Sequence, residues 1–170
     1  MKIELQRQID RIAGQVICAI LSLISRRKKT DRAQAVPERI LVIMLSEMGS
    51  LVLAQPMFAW IRQRYPQARI YALLFEKNRE CLELFDSVSP KDILTVNADS
   101  LSALVKDSFR VLKRTRAEKI DTVIDCELFS RVSSIFSFLS GAKTRVGFHP
   151  YTQEGLYRGT FINRPVLYNP

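Results

Sequence analysis

The feature that most constrains the fold is a short apolar run followed at once by a glycine-containing loop and a helix. Residues 40–45 read Ile-Leu-Val-Ile-Met-Leu, and such runs are typical of buried parallel strands. A small polar loop with Gly49 follows, and residues 51–64 have helical character. Strand, tight loop and helix form the first unit of a doubly wound α/β domain, whose ligands bind at the carboxyl ends of its strands.

The alternation of strand and helix continues along the chain. Further strands are predicted at 69–75, 92–96, 120–124 and 144–148, with helices at 78–85, from Ser100 onward and at 130–139. A short strand or hairpin is predicted near residues 160–163. This order predicts a mainly parallel, doubly wound sheet with helices on both faces and right-handed crossovers.

The net charge of +9 is concentrated near the amino terminus. Residues 1–39 hold nine of the 26 basic residues but only four of the 17 acidic ones. The folded body lacks the interleaving of basic and aromatic residues that binds single-stranded nucleic acid. We therefore expect no nucleic-acid partner.

The cysteines and the single histidine limit the chemistry. Three cysteines are widely spaced, odd in number and match no metal-ligand pattern, which favours a reducing, cytoplasmic compartment. One histidine, His149, argues against a His-based metal site or a Ser-His-Asp triad. We therefore expect neither a metal nor a cofactor.

The N-terminal extension is predicted to be an amphipathic helix followed by a basic linker. Residues 3–24 have helical periodicity with one narrow polar stripe, and Arg26-Arg27-Lys28-Lys29 follows. The apolar part is too short for a confident membrane-spanning helix. The helix either lies on the inner membrane surface with its basic cluster facing anionic lipid, or packs on the domain or a partner. The predicted division is 1–36 for the helix and linker, and 37–170 for a Rossmann-like domain.

Three predicted loops converge at one edge of the sheet, those after the first, fourth and fifth strands. The first loop has neither G-x-G-x-x-G nor G-x-x-x-x-G-K-[ST], so a dinucleotide site or a P-loop is unsupported. Carboxylates at strand ends are placed to act as a general base, helix starts bind anions, and arginines suit phosphate or carboxylate groups. The candidate catalytic residues are Glu47 and Glu127, and the candidate substrate-binding residues are Ser46, Gly49, Ser50, Arg131 and Arg158, with Arg145 as a further candidate cation. The alternative interpretation is that these are ordinary surface side chains.

Two blocks of the sequence resemble the heptosyltransferase family, glycosyltransferase family nine. The first covers residues 40–65, with Leu-Ser-Glu-Met-Gly-Ser at 45–50, Val-Leu-Ala-Gln-Pro at 52–56 and then Arg-Tyr-Pro at 64–66. The second joins Asp-Thr-Val-Ile-Asp at 121–125 to Leu-Ser-Gly-Ala-Lys-Thr-Arg-Val-Gly-Phe at 139–148. The resemblance covers about residues 37–170, and the order and spacing of the blocks carry it.

The resemblance implies a GT-B fold, in which two doubly wound domains face a cleft. In that fold the amino-terminal domain receives the acceptor and the carboxy-terminal domain binds the nucleotide-sugar donor. The chain ends at Pro170, where the family would cross toward its second domain. The resemblance therefore implies an amino-terminal half, as a fragment, a truncated gene product or one part of a split enzyme. We expect residues 1–170 to be inactive alone, with nucleotide sugar bound only through a carboxy-terminal domain.

The chain departs from the family's pattern at Ser50, which stands where the family has a loop Asp proposed as the catalytic base. A Ser hydroxyl has no useful basicity near neutral pH without a partner base. Three interpretations follow: Glu47 or Glu127 takes the role, this branch uses another acceptor, or the chain is not catalytic.

Two functions from different classes are consistent with these patterns. The first is the acceptor-binding half of an inverting, heptosyltransferase-like enzyme. It would move a sugar from a nucleotide-sugar donor to a lipid-linked or cell-surface glycan such as lipopolysaccharide, at the inner face of the cytoplasmic membrane. The second is a non-catalytic Rossmann-like binding module that docks on a membrane or a partner protein.

Overall fold

The chain forms an α/β domain in which strands and helices alternate. The computed structural model describes residues 10–26, 36–45, 48–128, 130–148 and 157–167. The described strands are β1 (Arg39–Ile43), β2 (Arg69–Phe75), β3 (Ile93–Val96), β4 (Thr122–Asp125), β5 (Thr144–Phe148) and β6 (Arg164–Val166). The described α-helices are α1 (Gln15–Arg26), α2 (Met48–Leu53), α3 (Gln55–Arg64), α4 (Arg79–Glu83), α5 (Leu101–Ala117) and α6 (Arg131–Leu139).

All six described strands form one parallel sheet, in the order β3-β2-β1-β4-β5-β6. The first strand, β1, lies in the middle of the sheet. The next two strands, β2 and β3, extend the sheet on one side of β1, and β4, β5 and β6 extend it on the other. This arrangement confirms the predicted doubly wound, mainly parallel fold. It also makes β1 and β4 central neighbours, so the segments that follow them start side by side.

The two faces of the sheet are covered by different helices because the strand residues alternate in direction. Ile40 and Val42 face a core that contains Phe58 of α3. The intervening Leu41 faces a second core that contains Phe136 of α6. Helices α2, α3 and α4 therefore lie on one face of the sheet, and α5 and α6 lie on the other.

Two helix starts on the second face have the serine caps that such positions favour. The Ser100 hydroxyl accepts a hydrogen bond from the Ala103 N–H, and the Ser130 hydroxyl accepts one from the Ser133 N–H. These caps fix where α5 and α6 begin. Helix α6 therefore starts at Arg131, shortly after β4 ends at Asp125.

Two elements differ from the sequence-based expectation. The helix predicted at 51–64 begins earlier, at Met48, and is interrupted at Ala54. Pro56 lies in the first turn of α3, where its missing N–H costs nothing, so it marks a new helix start. The hairpin alternative near 160–163 is wrong, because β6 pairs with β5 in parallel. Such pairing requires a crossover connection.

The N-terminal helix packs on the second face of the domain. A turn of π-helix at Asp10–Gly14 leads into α1, and the Cys18, Leu21 and Phe161 side chains form a small core with parts of α6. The expected helical residues before Asp10 lie outside the described residues, as does the basic linker after Arg26. Within the described ranges, no helix has the length and apolar character needed to cross a membrane.

Gly159 provides a test of this packing, because its backbone is in the left-handed region with φ +87°. A Cβ there would lie 2.1 Å from the Phe161 ring. We expect Gly159→Ala to lower the free energy of unfolding by about 2–4 kcal/mol, from backbone strain and overpacking together. Urea unfolding followed by circular dichroism measures the change.

The matched control is Gly49→Ala, in the exposed helix α2. A Cβ at Gly49 meets nothing within 4 Å, and alanine favours a helix interior over glycine by roughly 0.5–1 kcal/mol. We therefore expect Gly49→Ala to preserve or slightly raise stability. Equal losses in the two variants would contradict the packing of Phe161 beneath Gly159.

Candidate functional site

The candidate site lies at the carboxyl edge of the sheet, where β1, β4 and β5 end next to one another. The pairing of β4 with β1 on one side and β5 on the other places these ends together. The Cys126 N–H continues this contact by donating to the Ile43 carbonyl oxygen at 3.0 Å. The ends of the three strands that precede the predicted loops thus lie side by side, while residues 46–47 and 149–156 of those loops lie outside the described residues.

A buried ion pair lies directly behind this edge. Asp125, the last residue of β4, is 2% exposed, and Arg158 is 1% exposed. The Arg158 Nη2 atom donates to Asp125 Oδ2 at 2.6 Å, and the Ser133 hydroxyl donates to the same oxygen at 3.1 Å. Arg158 Nε also donates to the Ser130 carbonyl oxygen at 3.0 Å. The pair therefore ties the segment after β5 to the end of β4 and the start of α6.

The electrostatics of Asp125 reflect opposing effects. Burial is the largest and raises the pKa of Asp125 to about 6, against the lowering effects of Arg158, the Glu127 N–H and the Ser133 hydroxyl. Buried ion pairs often fail to offset the cost of removing both charges from water. The Asp125 carboxylate is thus buried and engaged with Arg158 and Ser133.

Arg131 forms a second internal contact at the start of α6. Its side chain is buried, with Nε donating to the Tyr157 carbonyl oxygen at 2.9 Å and Nη1 donating to Asp10 Oδ2 at 3.2 Å. The other Asp10 oxygen accepts from the backbone N–H groups of Arg131, at 3.0 Å, and Val132, at 3.1 Å. Asp10 therefore places a negative charge at a helix N-terminus, which stabilises that end of the helix.

Arg145, the further candidate cation, also makes internal contacts. Its Nε donates to the Phe161 carbonyl oxygen at 2.7 Å, and its Nη1 contacts the Ala142 carbonyl oxygen. Burial lowers the pKa of Arg145 from its usual value. All three arginines considered for anion binding are thus engaged inside the domain, and a binding role for Arg131 and Arg158 stays a prediction.

The remaining predicted residues lie in the loops themselves. Glu127 is half-buried two residues after the end of β4, and its backbone N–H donates to Asp125 Oδ1 at 3.1 Å. Gly49 is exposed and Ser50 is half-buried, both in the first turn of α2. Ser46 and Glu47 lie outside the described residues. The catalytic and binding roles assigned to these five residues therefore remain predictions.

Two carboxylates that hold this edge together, Asp125 and Asp10, were not among the residues predicted from the sequence. Asp125 had a signal, since a carboxylate that ends a buried apolar strand requires a partner. Asp10 had none, because it meets Arg131 across 121 positions of sequence. Among the described residues, no three His, Cys, Asp or Glu side chains are grouped so that they could hold a metal ion.

These features define a doubly wound α/β domain whose candidate site is at the carboxyl edge, between the loops after β1, β4 and β5. Solved glycosyltransferases share this fold. The glycosyl transferase family 9 protein from Veillonella parvula DSM 2008 is 17% identical with a TM-score of 0.60, and the match covers 82% of this chain and 38% of that one.

The heptosyltransferase WaaC from E. coli is similar in two further structures. The one with ADP-2-deoxy-2-fluoro heptose is 16% identical with a TM-score of 0.63, covering 78% of this chain and 43% of that one. The one with ADP is 17% identical with a TM-score of 0.61, covering 78% and 41%. The chain thus spans about two fifths of the length of these proteins. The likeness confirms the Rossmann-like fold of a GT-B domain, while no family model and no curated protein matches the chain.

The structural role of Arg158 can be tested through its effect on the stability of the domain. We expect Arg158→Met to lower the free energy of unfolding by about 3–5 kcal/mol at pH 7.5, because it leaves Asp125 charged and buried without its partner. Without Arg158, the already raised pKa of Asp125 rises further, so the folded protein binds the proton more tightly than the unfolded chain. The loss should therefore be smaller at pH 5 and grow as the pH rises through the folded pKa.

Urea unfolding at the two pH values measures this difference. Adding Asp125→Asn to the Arg158→Met variant should recover part of the loss at pH 7.5, since the buried charge is then gone. A loss of the same size at both pH values, with no recovery in the double variant, would show that the ion pair does not stabilise this edge.

Proposed function

We propose that residues 37–170 are the acceptor-binding half of a heptosyltransferase-like glycosyltransferase. The enzyme would transfer a sugar from a nucleotide-sugar donor to a lipid-linked or cell-surface glycan, as in lipopolysaccharide assembly, at the inner face of the cytoplasmic membrane. The observation that supports this most is the fold shared with glycosyl transferase family 9 over 82% of the chain. The carboxylate of Glu127, which lies just after β4 at the carboxyl edge of the sheet, gives further support to this proposal.

The proposed reaction needs a base beside the acceptor. As the acceptor hydroxyl oxygen bonds to the anomeric carbon of the sugar, the bond from that carbon to the diphosphate breaks, and the base takes the hydroxyl proton. Glu127 suits this role better than Asp125, because Glu127 is half-buried in the loop whereas Asp125 is buried and paired with Arg158. Glu47 is the second candidate, since it shares its loop with Ser50, the position of the family's Asp.

The donor would be bound by a partner domain. The related E. coli protein was solved with ADP-2-deoxy-2-fluoro heptose in one structure and with ADP in another. Those chains are more than twice as long as the region that matches here. We therefore assign the nucleotide sugar to a second doubly wound domain that faces the edge formed by β1, β4 and β5.

A second candidate function is a non-catalytic binding module that docks on a membrane or a partner protein. The internal engagement of Arg131, Arg145 and Arg158 favours it, because these cations then have other contacts than a phosphate. Ser50, which stands at the position of the family's Asp, also favours a non-catalytic module. Turnover in an enzyme with both halves distinguishes the two functions.

The base can be identified in an enzyme assembled from this chain and a donor-binding domain. We expect Glu127→Gln or Glu47→Gln to cut turnover by roughly 10²–10⁴, because an amide cannot accept the proton. The control is Glu38→Gln, whose side chain is exposed at the opposite edge of the sheet, just before β1. Near-normal rates in both loop variants would exclude both carboxylates. A gain in Ser50→Asp would instead show that this chain has lost the family's base.

Donor binding provides a test that needs no second domain. We expect residues 1–170 alone to give no specific heat of binding with ADP-, UDP- or GDP-sugars in titration calorimetry. The reason is that the nucleotide sugar contacts the other half in the proposed arrangement. A micromolar dissociation constant for any of these sugars would overturn the division of the enzyme into acceptor and donor halves.

A further inference from the structure

The outer side of the N-terminal helix is an uncovered apolar surface. Six large apolar side chains of this segment are between 40% and 71% exposed: Ile12, Val16, Ile17, Ile20, Leu23 and Ile24. We call these six the outer face. Single exposed apolar residues are ordinary, but a contiguous group of this kind marks an interaction site.

A narrow strip of the same helix, which includes Cys18 and Ser22, faces the protein. Cys18 is fully buried, and the Ser22 hydroxyl accepts from the Tyr157 hydroxyl at 2.8 Å and from the Thr160 N–H at 2.9 Å. At Gly14 a Cβ would meet the Arg131 side chain at 3.0 Å, so the helix approaches α6 closely. The helix is therefore seated by Gly14, Cys18, Leu21 and Ser22, and its six exposed apolar side chains lie away from the domain.

The seat holds the helix in place before any partner arrives. Asp10 is tied to the start of α6 by the Arg131 and Val132 N–H groups and by the Arg131 guanidinium. Ser22 is tied to the segment before β6. The outer face is thus a preformed surface, and its occupant does not have to offset the entropy of folding the helix.

The charges next to the outer face indicate what covers it. Arg26 ends the helix, Arg27-Lys28-Lys29 follow it directly in the sequence, and Arg11 is exposed at the other end. No acidic residue occurs between Arg11 and Lys29, and the Asp10 carboxylate is already bonded to α6. An apolar helical face bordered by cations matches an anionic lipid surface, where each Lys or Arg contributes about 1 kcal/mol.

We propose that the outer face is a membrane-binding surface that lies flat in the headgroup region of an anionic lipid leaflet. The helix axis then runs in the plane of the membrane, with the helix seated on α6 on its other side. Because Asp10 contacts the start of α6 at the carboxyl edge of the sheet, one end of this surface adjoins the candidate site. This proposal rests on the membrane location given above and names the residues that make the contact.

The test compares two Leu→Glu substitutions in the full chain. Leu23 is 63% exposed on the outer face, and Leu84 is 83% exposed after α4, in the opposite layer. Vesicles of phosphatidylcholine with phosphatidylglycerol should sediment the wild-type chain and the Leu84→Glu variant equally. Leu23→Glu should lower the partition coefficient about tenfold or more, because it removes one buried leucine. Binding should weaken with added salt and with vesicles of phosphatidylcholine alone.

A charge variant keeps the test independent of the fold of the helix. Lys28→Glu with Lys29→Glu should reduce binding to anionic vesicles. Trp60, the single tryptophan, is in α3 on the opposite layer, so its emission should stay unchanged on vesicle binding and report unfolding in any variant.

Several results would overturn the proposal. These are no binding of the wild-type chain to anionic vesicles, equal losses in Leu23→Glu and Leu84→Glu, or unchanged binding in the Lys28 and Lys29 variant. A dimer that forms without lipid and is lost in Leu23→Glu would assign the outer face to a second copy of the chain. The assay uses neither donor nor acceptor, so its failure would leave the proposed glycosyl transfer standing.

Discussion

The buried pair of Asp125 and Arg158 is the interaction on which the rest of this edge depends. It joins the end of β4, the start of α6 and the segment before β6 through one carboxylate and one guanidinium. A parallel sheet requires long connections between its strands, and such connections need an anchor where they leave the carboxyl edge. The ion pair provides that anchor for the connection between β5 and β6. Removing both groups from water has a cost in free energy, which their mutual attraction and the hydrogen bonds from Arg158 to the Ser130 carbonyl oxygen and from Ser133 to Asp125 oppose.

The N-terminal helix depends on the same region through Arg131. Asp10 accepts hydrogen bonds both from the backbone N–H at the start of α6 and from the Arg131 guanidinium. The N-terminal helix therefore begins close to the place where the central strands end. Farther along, Cys18 and Leu21 pack with Phe161, which lies two residues after the glycine turn at Gly159. The segment from Tyr157 to Phe161 therefore contacts both the sheet edge and the helix. A change in the conformation of that segment would therefore alter the positions of both the candidate site and the outer face.

The fold was readable from the sequence because it rests on local patterns. The alternation of short apolar runs with helices predicted five of the six described strands and a doubly wound, mainly parallel sheet. The parallel β6 was missed, since Arg164-Pro165-Val166 is short and contains a proline that only an edge strand tolerates. The arginines could not be assigned from sequence, because partners such as Asp10 for Arg131 lie far away along the chain. Whether a polar side chain faces solvent or protein is likewise decided by packing: Cys18 and Ser22 of the predicted polar stripe face inward, whereas Arg11 and Gln15 are exposed.

The two carboxylates at and just after the end of β4 lie in different environments. Asp125 is the last residue of β4, and Glu127 lies two residues later in the loop that follows. The Asp125 carboxylate is buried beside Arg158, where it helps to hold the segments of this edge together. It also accepts a hydrogen bond from the Glu127 N–H. Glu127 is in turn held in position by the backbone while its side chain is left half-buried at the edge. Burial raises the pKa of Asp125 to about 6, and the proposal that Glu127 is the reacting carboxylate is supported by its half-buried place in the loop. If Glu127 is the base, Asp125 and Arg158 act on the reaction only through its position.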